Sequence, residues 1–82
     1  MQQFPLRLTP EELKAILSSL DCEISLETTL KGLPGSIHWH IKRRKEQTGT
    51  LEATWLPNGD AWLNFHANRY RPWLEEVIEA LK

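Results

Sequence analysis

Between two stretches whose apolar residues recur at helical spacing, the sequence holds four whose apolar residues recur at every second position. That double change of period restricts the chain to a mixed α and β fold. The first helical stretch opens with Thr9-Pro10-Glu11-Glu12. Thr9 can accept from the free backbone amides of a first turn, Pro10 suits the first helical position, and Glu12 can reach back to the cap. Leu13, Ile16, Leu17 and Leu20 then follow at i, i+3, i+4 and i+7, which predicts a helix over residues 10 to 20. The last stretch repeats this logic, with Pro72 at the first helical position, Glu75 and Glu76 near the positive end of the dipole, and a stripe of Leu74, Val77, Ile78 and Leu81.

The intervening segments read as strands. Ile24 and Leu26 alternate with Glu23, Ser25 and Glu27, predicting a strand over about residues 23 to 29 before the break at Gly32-Leu33-Pro34-Gly35. Ile37, Trp39 and Ile41 alternate with His38, His40 and Lys42, then Leu51, Ala53 and Trp55 with Glu52 and Thr54, then Leu63 and Phe65 with Trp62, Asn64 and His66. Keeping the apolar sets on one face pairs Trp39 with Trp55 and Ile41 with Ala53, which sets Lys42 opposite Glu52. A three-residue Asn58-Gly59-Asp60 loop pairs Trp55 with Leu63 and Ala53 with Phe65. The expected fold is an α+β two-layer sandwich: an antiparallel meander of three to four strands with two helices packed on one face, in the order α-β-β-β-β-α. Met1 to Leu8 offers a further edge strand through Phe4, Leu6 and Leu8, with Pro5 confining it to an edge. The helix, three strands, helix order resembles the layout of double-stranded RNA-binding domains, in element order only. The second helix opens with Pro72-Trp73-Leu74-Glu75-Glu76, whose carboxylates repel phosphate where such domains carry lysines, and no family is assigned.

Composition bounds the function. Eighty-two residues, 40% hydrophobic and 26% charged, suffice for one domain with one modest core. No apolar run approaches the roughly 20 residues needed to span a bilayer. The start of the sequence shows no basic region followed by an apolar stretch, and a lone Cys22 forms no internal disulfide, so a reducing cytoplasmic location is expected. A net charge of -1 argues against a surface given over wholly to nucleic acid. The charge is nonetheless polarised. Lys42, Arg43, Arg44 and Lys45 run together with Arg69 and Arg71 further on, while Glu11, Glu12, Asp21, Glu23, Glu75, Glu76 and Glu79 gather towards the two ends.

The face away from the helices is expected to bear His38, His40, Lys42, Glu52, Thr54, Leu56, Trp62, Asn64 and His66. An indole left wet costs roughly 25 cal/mol per Å² of apolar area, so Trp62 marks a contact surface. The candidate binding set is Trp62, His38, His40, Lys42, Arg44, Lys45, Asn64, Arg69 and Arg71, serving a protein partner or a second copy of the chain. Nucleic acid is the alternative, with bases stacking on Trp62 and phosphates meeting the arginines and lysines. His38 and His40 project from one strand face and could share an ion, yet two ligands do not make a site, and strand spacing places His66 about 11 or 12 Å away. No metal, cofactor or catalysis is expected, because no nucleophile, base and orienting group occur in a recognisable pattern. The histidines read as surface residues that make binding sensitive to pH.

Overall fold

The computed structural model describes residues 3 to 82 and arranges them as β1 (Gln3–Leu6), α1 (Pro10–Ser19), β2 (Cys22–Thr28), β3 (Ile37–Arg43), β4 (Leu51–Trp55), β5 (Ala61–Asn64), one 3₁₀ turn (Ala67–Arg69) and α2 (Pro72–Leu81). The class is the expected α+β, but the antiparallel sheet has five strands rather than three or four, in the order β1-β5-β4-β3-β2. The extra strand is β1, on the outer edge beside β5, where Pro5 stands opposite Trp62. An edge strand tolerates proline because its outward side needs no amide donor. The part of the edge-strand expectation that falls on residues 1 and 2 lies outside the described residues. With four strands between the helices and one ahead of them, the layout departs from that of double-stranded RNA-binding domains. Among the described residues no helix is long and apolar enough to cross a membrane.

Both arms of the α1 capping box form: Thr9 N–H donates to Glu12 Oε1 at 2.9 Å, and Glu12 N–H donates to Thr9 Oγ1 at 3.1 Å. The helix stops where Asp21 takes φ 61°, a left-handed conformation that aspartate adopts more readily than most residues, and the chain turns directly into β2. Leu13 and Leu17 from α1, Trp73, Leu74, Val77, Ile78 and Leu81 from α2, and Trp39, Ile41, Leu51, Ala53 and Leu63 from the sheet form one buried cluster. Trp39 is its largest fully buried side chain, 1% exposed. Trp55 and Phe65, which alternation puts on the covered face, are only half-buried at its margin. Phe65 stacks on Phe4 at 6.3 Å between centroids and leans on Tyr70 at 5.4 Å.

Two departures from the expected pairing shape the open face. In β2 a bulge between Ile24 and Leu26 reverses the alternation, so Leu26 stands opposite His40 on the open side and Glu27 opposite Trp39 on the covered side. The buried indole N–H requires an acceptor. Glu27 supplies it, taking the Trp39 Nε1 proton at 2.6 Å. In β4 the register slides by two residues, pairing Trp39 with Ala53 and Ile41 with Leu51, which keeps the faces but changes every neighbour. The loop before β4 is anchored elsewhere: Trp73 Nε1 donates to the Thr48 carbonyl at 2.9 Å, Arg71 Nε to Thr48 Oγ1 at 2.9 Å, and Thr50 N–H to the Arg69 carbonyl at 3.2 Å. The β4–β5 hairpin also slides, pairing Trp55 with Ala61 and Ala53 with Leu63. Its loop has the expected three residues, displaced by one to Pro57-Asn58-Gly59, closed by Leu56 N–H to the Asp60 carbonyl at 2.8 Å with Gly59 at φ 95°.

Gly49 and Gly59 share a left-handed backbone but not their surroundings. A Cβ at Gly49 would stand 2.7 Å from the buried Trp73 Nε1, whereas one at Gly59 would meet nothing within 4 Å. Both alanine substitutions incur backbone strain of about 1 kcal/mol or more. Gly49→Ala is expected to destabilise the fold distinctly more than Gly59→Ala in urea denaturation, because it also displaces Trp73 from Thr48. The Glu27 pair makes a second prediction. The Trp39 hydrogen bond, with help from Lys14, lowers the Glu27 carboxyl below its ordinary value. A carboxyl lowered on folding stabilises above its unfolded pKa, about 4.3, and that contribution is lost as pH falls through the folded value. Glu27→Gln, which keeps an acceptor without the charge, should melt below the parent protein at neutral pH and together with it in strong acid.

Candidate functional site

Pairing across the five strands sets out two rows on the face that the helices leave open. Leu26, His40, Glu52, Asn64 and Gln3 form one, and Thr28, His38, Thr54, Trp62 and Pro5 the next. The middle of this face is nearly out of water: Glu52 is 8% exposed, Thr54 2% and Asn64 6%. The sequence contains three histidines, and all three meet the Glu52 carboxylate. His38 Nε2 lies 3.1 Å and His40 Nε2 3.9 Å from Oε1, and His66 Nε2 lies 3.2 Å from Oε2. His38 Nδ1 is 2.9 Å from Thr54 Oγ1, so both ring nitrogens of His38 are engaged. The His38 and His40 rings meet edge to face at 5.3 Å.

The two-residue slide of β4 builds this cluster. Glu52 stands opposite His40 and not, as expected, opposite Lys42. His66, set aside on strand spacing, joins through the intervening strand: the carboxylate on β4 reaches His38 and His40 with one oxygen and His66 with the other. Alternation alone assigns Glu52 and Thr54 to the correct face. Their role depended on a register that the apolar pattern leaves open, because a slip of two residues preserves it.

The other candidate residues divide. Lys42 and Arg69 join His40, Thr50, Glu52 and His66 around a cavity of about 250 Å³. Trp62 is half-buried in the row beyond Thr54, roughly 16 Å from Lys42 by strand and residue spacing. Arg44 reaches back to Asp21 and Glu23 at 3.9 Å each, Lys45 is exposed in the loop after β3, and Arg71 is held by Thr48 and the Tyr70 carbonyl at the start of α2. Arg43, in the same basic run, pairs with Glu76 of α2. The structure therefore splits the basic run between the open face, the helices and the β2 end of the sheet.

Thr54, His38 and Glu52 have the connectivity of a nucleophile, base and orienting acid, which the sequence pattern did not reveal. The Thr54 side chain is too deeply buried to meet a substrate, so its hydroxyl positions the imidazole. Cys22 is also buried, and that burial pushes its thiol up against the opposing effect of Arg43. The donor atoms of His38, His40 and Glu52 lie within 4.8 Å of one another, a set that could hold a metal ion. Comparison with protein families, with curated proteins and with solved structures finds no match for this chain.

Replacing Thr54 by valine keeps the shape and removes the hydroxyl that fixes His38. The expected cost is about 1 kcal/mol in urea denaturation, with broadened ring resonances of His38 in the folded protein. A His38 ring as ordered as in the parent would show that Glu52 alone positions it.

Proposed function

We propose that the protein is a non-catalytic binding module that docks a protein partner on its open sheet face. The observation that carries this reading is the organisation of that face. No element among the described residues covers it, its polar centre is satisfied internally, and its margins offer apolar side chains, with Leu26 45% exposed on one side and Trp62 beside Pro5 towards the other. Lys42 and Arg69 stand at one end and enter no ion pair among the described residues. Apolar side chains left at the margins of an uncovered sheet face mark a contact surface, and cations at its end would set the orientation of a charged partner. Nucleic acid is favoured less. Of the cations expected to meet phosphate, Arg44 and Arg71 are engaged within the chain, and a strand running from Trp62 to Lys42 would cross the Glu52 carboxylate.

Two surface variants test the docking reading, Leu26→Asp and Trp62→Ala, each used beside the parent as bait for cross-linking in a lysate at high salt. Partners retained by the parent and lost from both variants are the expected result. Identical retention by all three would overturn the face as a docking site. Titration with mixed RNA and DNA oligonucleotides gives the other decision: amide shifts at Lys42 and Arg69 that vanish with salt would transfer the surface to nucleic acid.

A further inference from the structure

The cluster around Glu52 has a chemistry that protein docking does not use. We propose that His38 Nε2, His40 Nε2 and Glu52 Oε1 form a binding site for a single divalent transition ion of the zinc class. This inference goes beyond the docking reading and stands whether or not a partner binds.

Four observations support it. The first is the donor set: two imidazoles and one carboxylate are the ligands of many three-residue sites for zinc and neighbouring metals, which leave a fourth position open. The second is separation. Donors about 2.1 Å from a tetrahedral ion stand roughly 3.4 Å apart, while one donor atom from each of these residues lies within 4.8 Å of the others, and Oε1 is 3.1 and 3.9 Å from the two Nε2 atoms. Side-chain torsions alone can close that difference. The third is the supporting shell. With the ion on Nε2, His38 carries its proton on Nδ1 and donates it to Thr54 Oγ1, while His66 Nε2 donates to Glu52 Oε2 and leaves Oε1 for the metal. Ligating histidines and carboxylates are commonly fixed by such outer hydrogen bonds. The fourth is access and charge. The cavity bordered by His40, Lys42, Thr50, Glu52, His66 and Arg69 reaches two of the three ligand residues, His40 and Glu52, and although Lys42 and Arg69 line it, neither pairs with Glu52, whose partners among the described residues are imidazoles. The buried carboxylate therefore depends on the imidazoles or on a cation bound with them. His66 is a positioning residue in this arrangement, since it acts on the carboxylate oxygen that faces away from the ion.

The test uses the full chain after treatment with a chelator, with Zn2+ alone followed by calorimetry and Co2+ alone by visible absorption. The expected result is one ion per chain at micromolar affinity or tighter, with the intense visible bands of tetrahedral cobalt. His40→Ala, a partly exposed change that leaves the core untouched, should weaken binding by about 100-fold or more, and His66→Gln by about 10-fold. A dispersed amide spectrum establishes that each variant is folded. Affinity weaker than micromolar, a stoichiometry other than one, or a folded His40→Ala that binds as the parent does would overturn the site.

Discussion

A carboxylate that water hardly reaches governs the open face. Moving such a group out of water costs several kcal/mol unless charge or hydrogen bonds compensate it. Here the compensation comes from imidazoles carried on β3 and on the segment just after β5, with the carboxylate on the strand between them. The cluster therefore exists in one register only. A slip of one residue would turn Glu52 into the core, and a slip of two would set it opposite Lys42, in the pairing that the apolar residues alone also allow. The correct register is held at the loop, where Trp73 and Arg71 of the α2 start capture Thr48 and draw the approach to β4 away from β3. Packing beneath the helices and polar chemistry on the opposite face are thus joined through one residue pair, Trp73 and Thr48.

The two faces are coupled a second time in β2. Trp39 fills the core, but its N–H would be left without an acceptor in purely apolar surroundings. The extra residue at the bulge rotates Glu27 beneath the indole and turns Leu26 outward beside His40. One bulge thereby satisfies a buried donor on the covered side and gives the open side its most exposed leucine. The apolar margin of the open face follows from a hydrogen bond made in the core.

Much of this was legible in the sequence. Thr9, Pro10 and Glu12 mark the start of α1 as they form it, Pro72 marks the start of α2, and strict alternation assigns His38, His40, Glu52, Thr54, Trp62 and Asn64 to one face. These signals are local, and they depend on periods and caps that neighbouring residues determine. The misread features are those decided at a distance. The register of β4 depends on Thr48 meeting Trp73, and the orientation of Leu26 and Glu27 on the needs of Trp39. Trp55 and Phe65 have the correct parity for the core and lie at its margin because β4 and β5 are each displaced by two residues. The site suffered most from this, since Glu52 becomes the centre of three histidines only in the observed register.

The energetics separate what holds the fold from what the open face is for. Helix stripes and the inner sheet residues supply the apolar burial on which stability rests, and the Glu52 cluster lies outside it. Buried ion pairs replaced by apolar residues of similar volume are often neutral or stabilising. By that measure an apolar centre at Glu52, His38 and His40 need not cost the sheet stability, and it would not require Thr54 to fix a ring or His66 to hold an oxygen. Under the proposed ion site, these groups are a departure from simple packing of the kind that binding sites make. The donors of His38, His40 and Glu52 lie within 4.8 Å of one another while the apolar residues stand at the margins, so the two proposals concern different parts of one face, an ion at its centre and a protein surface around it.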